Sequence, residues 1–169
     1  MRVEKNIITH NKLNQSSETG GQRAEIGTQK IRGQKLERLG GMQINSAKEL
    51  EVYKKAYSLA MQIFEISKGF PKEERYSLTD QIRRSSRSVC LNLREAWAKR
   101  RYEAHFISKL TDCDGENNET DSSLDFAKDC GYISIEKHME LVNENRVVGK
   151  MLGAMINNPT PFITKNSDL

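Results

Sequence analysis

QIRRSSRSVCLNLREAWAKRRY, residues 81–102, separates into two faces when it is wound as a helix at about 100° per residue. Arg83, Arg87, Arg94 and Arg101 then fall within about 40° of one another, while Ile82, Val89, Leu93 and Trp97 gather roughly a third of a turn away. One helix therefore carries both an apolar seam for a core and a stripe of arginines. The first property predicts a bundle helix, and the second a surface that grips something acidic.

Upstream, Ser46-Ala47-Lys48-Glu49 has the spacing of a capping box, so ordered structure is expected from residue 46, with Ser46 accepting from the Glu49 amide and Glu49 reaching back. Val52, Ala56, Leu59, Ile63 and Ile66 form one apolar stripe on this first helix, and Tyr53, Tyr57, Ala60 and Phe64 form a second beside it. One bundle seam uses only one stripe fully. Tyr53, Tyr57 and Phe64 are therefore the expected oligomer interface. Lys68-Gly69-Phe70-Pro71 stops the helix, with Gly69 as its C-cap. Ser77 or Thr79 is expected to cap the second helix, which runs to about Arg101.

A third helix, from about Glu103 to Asp129, places Phe106, Leu110, Cys113, Leu124 and Ala127 on one face. Asn117 and Thr120 interrupt that seam, as buried polar residues that set register do. Gly115 in mid-helix costs about 1 kcal/mol relative to Ala, which predicts a close helix crossing there. Gly131 ends this helix, Ser134 caps a fourth, and Ile135, Met139, Val142, Leu152 and Ile156 give its seam up to Asn157-Asn158-Pro159. Four amphipathic helices with short connections predict an all-α, antiparallel up-down-up-down four-helix bundle over residues 46–158, with a frayed tail at 159–169.

Residues 1–45 are rich in Gly, Gln, Asn, Ser and Thr, with apolar residues too sparse for a core, and read as a disordered N-terminal tail. Leu39-Gly40-Gly41 stands directly before Met42, where Gly codons can encode a purine-rich ribosome-binding sequence; Met42 is thus a second candidate start. Charge follows the same division. Residues 1–45 hold eight Lys/Arg and four Asp/Glu, leaving nineteen of each beyond, so the formal charge of +4 sits in the tail. A case for an anionic partner must rest on how charge is segregated within a neutral domain. Cys90, Cys113 and Cys130 are far apart and read as buried small hydrophobes in a reducing compartment. The sequence has no apolar run of membrane-spanning length and no h-region near residue 1, so no membrane association and a cytoplasmic location are expected.

Templates for chemistry fail on residue type or spacing. None of His10, His105 and His138 has a Glu three residues before it, as a di-iron bundle requires. The acidic run DCDGENNETD at 112–121 has its Gly fourth where a calcium loop needs it sixth. Phosphate-binding, dinucleotide and nucleophile-elbow motifs are lacking. The expectation is a protein without catalytic, metal or cofactor residues. Asp112, Glu116 and Glu119 form an acidic stripe on the third helix, and a bland alternative pairs it with the arginine stripe, within one chain or between chains.

The stretch ELEVYKKAYSLAMQIFEISKGFPKEERYSLTDQIRRSSRSVCLNLREAW, with the later DCGYIS, resembles small bacterial four-helix-bundle proteins first noticed in intervening sequences of 23S rRNA genes. That family includes relatives of the accessory variability determinant of diversity-generating retroelements. The resemblance spans roughly Ser46 to Pro159. Where the family often reads SIPSNIAEG, residues 88–96 read SVCLNLREA; loss of the Pro and Gly implies a straighter second helix, and Arg94 is added charge. The resemblance implies a homo-oligomer, typically a pentamer, without catalysis. Its retroelement relatives imply two partners, RNA or DNA and a reverse transcriptase. Carried onto this chain, nucleic-acid binding falls to Arg83, Arg84, Arg87, Arg94, Lys99, Arg100 and Arg101.

Overall fold

Each long apolar-striped segment forms a helix, and a computed structural model describes them across residues 44–164. The helices are α1 (Glu51–Ile66), α2 (Leu78–Lys99), α3 (Glu103–Asp129) and α4 (Ile135–Asn157), with no strand among the described residues. α1 packs against α2 and α4, and α3 against α2 and α4, which makes a four-helix bundle. The expectations for residues 1–43, His10 and the Met42 start included, lie outside the described residues.

The interior comes in two apolar clusters. One joins the beginning of α1 (Val52, Ala56) to the end of α2 (Leu93, Ala96), the beginning of α3 (Phe106, Leu110) and the end of α4 (Leu152, Met155). The other joins the end of α1 (Ile63) to the beginning of α2 (Leu78, Ile82), the end of α3 (Leu124, Ala127) and Leu141 of α4. That membership is what helices alternating in direction would give. Between the clusters lies a belt of buried polar residues: Ser85, Ser86, Asn117, Thr120, Ser123 and Asn145. Thr120 donates to Ser85 at 2.9 Å, and the Asn117 and Asn145 amides donate to each other's backbone carbonyls at 3.3 and 3.0 Å. Asn117 and Thr120 are thus buried, hydrogen-bonded seam residues, although both Asn Oδ1 atoms lack a partner.

Local caps explain where the helices stop. α3 ends in a Schellman motif: Gly131 has φ 73°, its amide donates to the Lys128 carbonyl, and Tyr132 N donates to the Ala127 carbonyl at 2.8 Å. Ser134 Oγ accepts from Lys137 N and opens α4. Other signals shift. Ser46 accepts from Lys48 N and Glu49 reaches back to Asn45 N, closing a short 3-10 turn; extended Leu50 then delays α1 to Glu51. Gly69 sits in a 3-10 turn instead of a left-handed cap. Neither Ser77 nor Thr79 caps α2 with its side chain; the Glu74 carboxylate takes the Leu78 amide at 3.2 Å.

Three packing expectations are corrected. A Cβ on Gly115 would meet nothing within 4 Å, whereas one on Gly149 would stand 3.1 Å from Asn117 Nδ2, so the close crossing is at Gly149. The buried seam of α4 is Leu141, Asn145, Val148, Leu152 and Met155, leaving Ile135 and Met139 exposed, because polar Asn145 occupies a seam position and hides the true period. The chain beyond Pro159 is not frayed as far as Thr164: Phe162 stacks on Phe106 at 6.1 Å and Thr164 N donates to the Arg100 carbonyl. Cys90 and Cys113 are buried, but Cys130, at the C-cap of α3, is exposed.

Candidate functional site

The seven basic residues singled out on α2 do not form one surface. Arg83, Arg87 and Arg94 lie toward α1. Arg83 and Arg87 hold their guanidinium carbons 5.1 and 5.6 Å from the Phe64 ring centroid, and Arg83 Nε donates to Ser67 Oγ at 2.7 Å. Ser67, itself buried, donates to the Phe64 carbonyl, so Arg83 is held by a fixed partner. Arg94 stands beside Tyr53, whose hydroxyl pKa is raised first by burial and next by Cys90, with Arg94 opposing the shift. Arg83 is half-buried, while Arg87 and Arg94 are exposed.

The other four go elsewhere. Arg84 is exposed on the flank toward α3, where it opposes a rise in the Glu116 pKa that burial and then Glu119 produce. Lys99 pairs with Glu95 at 3.9 Å. Arg100 lies 4.2 Å over the Trp97 ring and donates to the Trp97 carbonyl, capping the end of α2. Arg101 falls beyond the last helical residue, Lys99, and rests over Tyr102 at 5.9 Å. Only a helix continued past Lys99 would bring Arg101 into the stripe. The remaining row, Arg83 to Arg94, is about 17 Å long at 1.5 Å per residue.

Among the described residues no carboxylate forms an ion pair with this row: the ion pairs use Lys or His and never Arg. Asp112 is held by Lys109 at 3.0 Å, and Lys109 also reaches Glu95 at 3.0 Å; these two hydrogen bonds raise the lysine pKa, Glu95 first. Pairing of the arginine stripe with Asp112, Glu116 and Glu119 inside one chain is therefore not what the structure contains.

The aromatic stripe of α1 borders this row instead of standing apart from it. Tyr53 and Phe64 are half-buried against α2, and Tyr57 is 54% exposed. Tyr53 and Tyr57 stack, with ring centroids 6.3 Å apart and planes at 15°. Lys68, missed in the sequence, brings a third cation to Phe64, with Nζ at 4.7 Å from its centroid, and Ser67 is a second missed participant. Neither had a signal within α2: Lys68 and Ser67 lie 15 and 16 residues upstream of Arg83 and meet the row only through helix packing.

Cys90 and Cys113 have thiol pKa values pushed up by burial to about 11 and about 12. His138 Nε2 lies 2.7 Å from Asp125 Oδ1, and His105 packs on Tyr102 at 5.7 Å. Among the described residues no three His, Cys, Asp or Glu side chains converge as metal ligands would, and no helix is long and apolar enough to cross a membrane.

Residues 48–154, which contain all four helices but the last turn of α4, match the family described as 23S rRNA-intervening sequence protein. The chain belongs to this family. A crystal structure of a protein with unknown function from the S23 ribosomal protein family of Bacteroides thetaiotaomicron is 30% identical, with a TM-score of 0.58. The alignment covers 63% of this chain and 96% of that one. No curated protein matches the sequence. FPKEERYSLTD and GYIS, two of the stretches that carried the resemblance, meet in space: Phe70 and Tyr132 rings lie 5.5 Å apart, and Tyr132 bonds Glu74.

Proposed function

We propose that this member of the 23S rRNA-intervening sequence protein family is a non-enzymatic, homo-oligomeric bundle that binds RNA or DNA through Arg83, Arg87 and Arg94. The observation that carries the reading is three guanidinium groups in a row with no carboxylate partner among the described residues, in a domain whose lysines are largely paired. Guanidinium suits phosphate oxygens because its fork of donors matches their geometry. The row spans about three phosphates, and repetition in an oligomer multiplies a weak contact by avidity. Arg84 faces the flank toward α3 and Arg101 lies past the end of α2, so neither joins the row, and Lys99 and Arg100 serve their own helix end. Contacts to phosphate position a ligand without reading its sequence, so broad sequence tolerance is expected.

The test compares wild type with Arg83→Glu/Arg87→Glu/Arg94→Glu in low-salt binding to structured RNA and duplex DNA, alongside oligomer mass by light scattering. Lost binding with unchanged mass supports the proposal. With three phosphates neutralised per engaged chain, the log-log salt slope should be about −2 to −3. Collapse of the oligomer instead assigns the arginines to pairing between copies, for which Glu116 and Glu119 offer carboxylates without an ion-pair partner among the described residues. No binding by wild type removes the reading.

A further inference from the structure

We infer that the ligand of this surface is a single strand, whose bases stack on Tyr57 while Arg83, Arg87 and Arg94 hold its phosphates; the inference rests on the nucleic-acid reading above. A duplex offers phosphates and hides the faces of its bases, so an aromatic row beside an arginine row would be idle against it. Here the two rows run side by side. Arg94 meets Tyr53 at one end and Arg83 and Arg87 meet Phe64 at the other, and Tyr53 to Phe64 on α1 spans the same eleven-residue step as Arg83 to Arg94 on α2. Tyr57 lies one turn from Tyr53 and on its face, between the two ends.

The three rings differ in what they leave open. Phe64 is covered by cations and Tyr53 is half-buried, whereas Tyr57 is stacked on Tyr53 and 54% exposed. That stack holds the Tyr57 ring in place before binding, so ordering it costs little side-chain entropy. An exposed, pre-ordered ring beside guanidinium groups that have no carboxylate partner among the described residues is the combination that single-strand binding uses: charge follows the backbone, and a π-face accepts any base. Guanidinium planes over Phe64 extend the same stacking surface.

Three probes of equal length separate the possibilities at low salt: a DNA strand without self-complementarity, the same strand paired with its complement, and an abasic strand with the same phosphates. The base-bearing strand should bind at least about fivefold tighter than the abasic one. Tyr57→Ala should remove that advantage, leave abasic affinity unchanged and keep the oligomer mass, and Tyr57→Phe should restore it. Equal affinity for base-bearing and abasic strands, or tighter binding of the duplex, overturns the inference while the nucleic-acid reading stands. Failure of all three probes overturns the inference, and failure of structured RNA to bind as well overturns the nucleic-acid reading. Dissociation of the oligomer by Tyr57→Ala assigns the ring to contact between copies, as expected from its stripe, and also overturns the inference.

Discussion

Tyr132 Oη donates to Glu74 Oε1 at 3.0 Å, across 58 residues of chain. The same carboxylate accepts from the Ser77 hydroxyl and the Leu78 amide, so one side chain opens α2 and ties that end to the loop after α3. Those three bonds, Ser77 first, hold the Glu74 carboxyl below its ordinary value.

A depressed carboxyl pKa contributes stability above its unfolded value that is lost as pH falls through the folded one. Glu74→Gln is therefore expected to be less stable than wild type at neutral pH, with the gap closing on acidification below the ordinary carboxylate value of 4.5. Urea midpoints of both proteins at neutral pH and near pH 3 check this; a gap that does not change with pH contradicts it.

Two glycine substitutions should act with opposite sign. Gly115→Ala meets open space and should stabilise by up to about 1 kcal/mol, the helix-propensity difference. Gly149→Ala makes the same backbone gain but drives a methyl against Asn117 Nδ2, which is bound to the Asn145 carbonyl. Disturbing that buried bond costs about 1–3 kcal/mol, so a net loss of about 1 kcal/mol is expected by urea denaturation.

The Asn117 and Asn145 amides are reciprocal partners, and each retains an unpartnered oxygen. Either single change to Leu takes one donor from the other residue's buried backbone carbonyl and leaves the second bond in place, so each should destabilise by about 1–2 kcal/mol. Changing both removes two bonds that do not depend on each other, so the losses should be close to additive. A double-mutant cycle checks this, and a coupling of about 1 kcal/mol or more would mean that the two side chains depend on each other and not only on the backbone carbonyls.

Cys130 should react at once with a thiol reagent in the folded protein, and Cys90 and Cys113 only on unfolding. With thiol pKa values of about 11 and about 12, the buried pair is thiolate in fewer than about one molecule in a thousand at pH 8. Titration with and without denaturant counts them, and two or more fast thiols per folded chain would refute the assignment.

Legibility in the sequence tracked how local each signal was. The limits of α3 and α4 follow from Gly131 and Ser134, whose caps involve residues a few positions away. The start of α1 moved because Leu50, an ordinary helix residue, is extended. Arg83, Arg87 and Arg94 were readable as a stripe, but the rings beside them were not, because Phe64 and Tyr53 meet them only after two helices pack. The same distance dependence hid the crossing at Gly149, which is close only because Asn117 of α3 faces it.

The polar belt separates two apolar clusters, which predicts two cooperative units instead of one. With Ser85, Asn117, Thr120 and Asn145 between the clusters, opening the half around Ile82 and Leu124 need not expose the half around Leu93 and Phe106. Amide exchange should then report two opening free energies along each long helix. Arg83 adjoins Ile82 in one unit and Arg94 adjoins Leu93 in the other. If a strand lies along that row as proposed, it would splint the belt, and binding would slow the opening of both halves together.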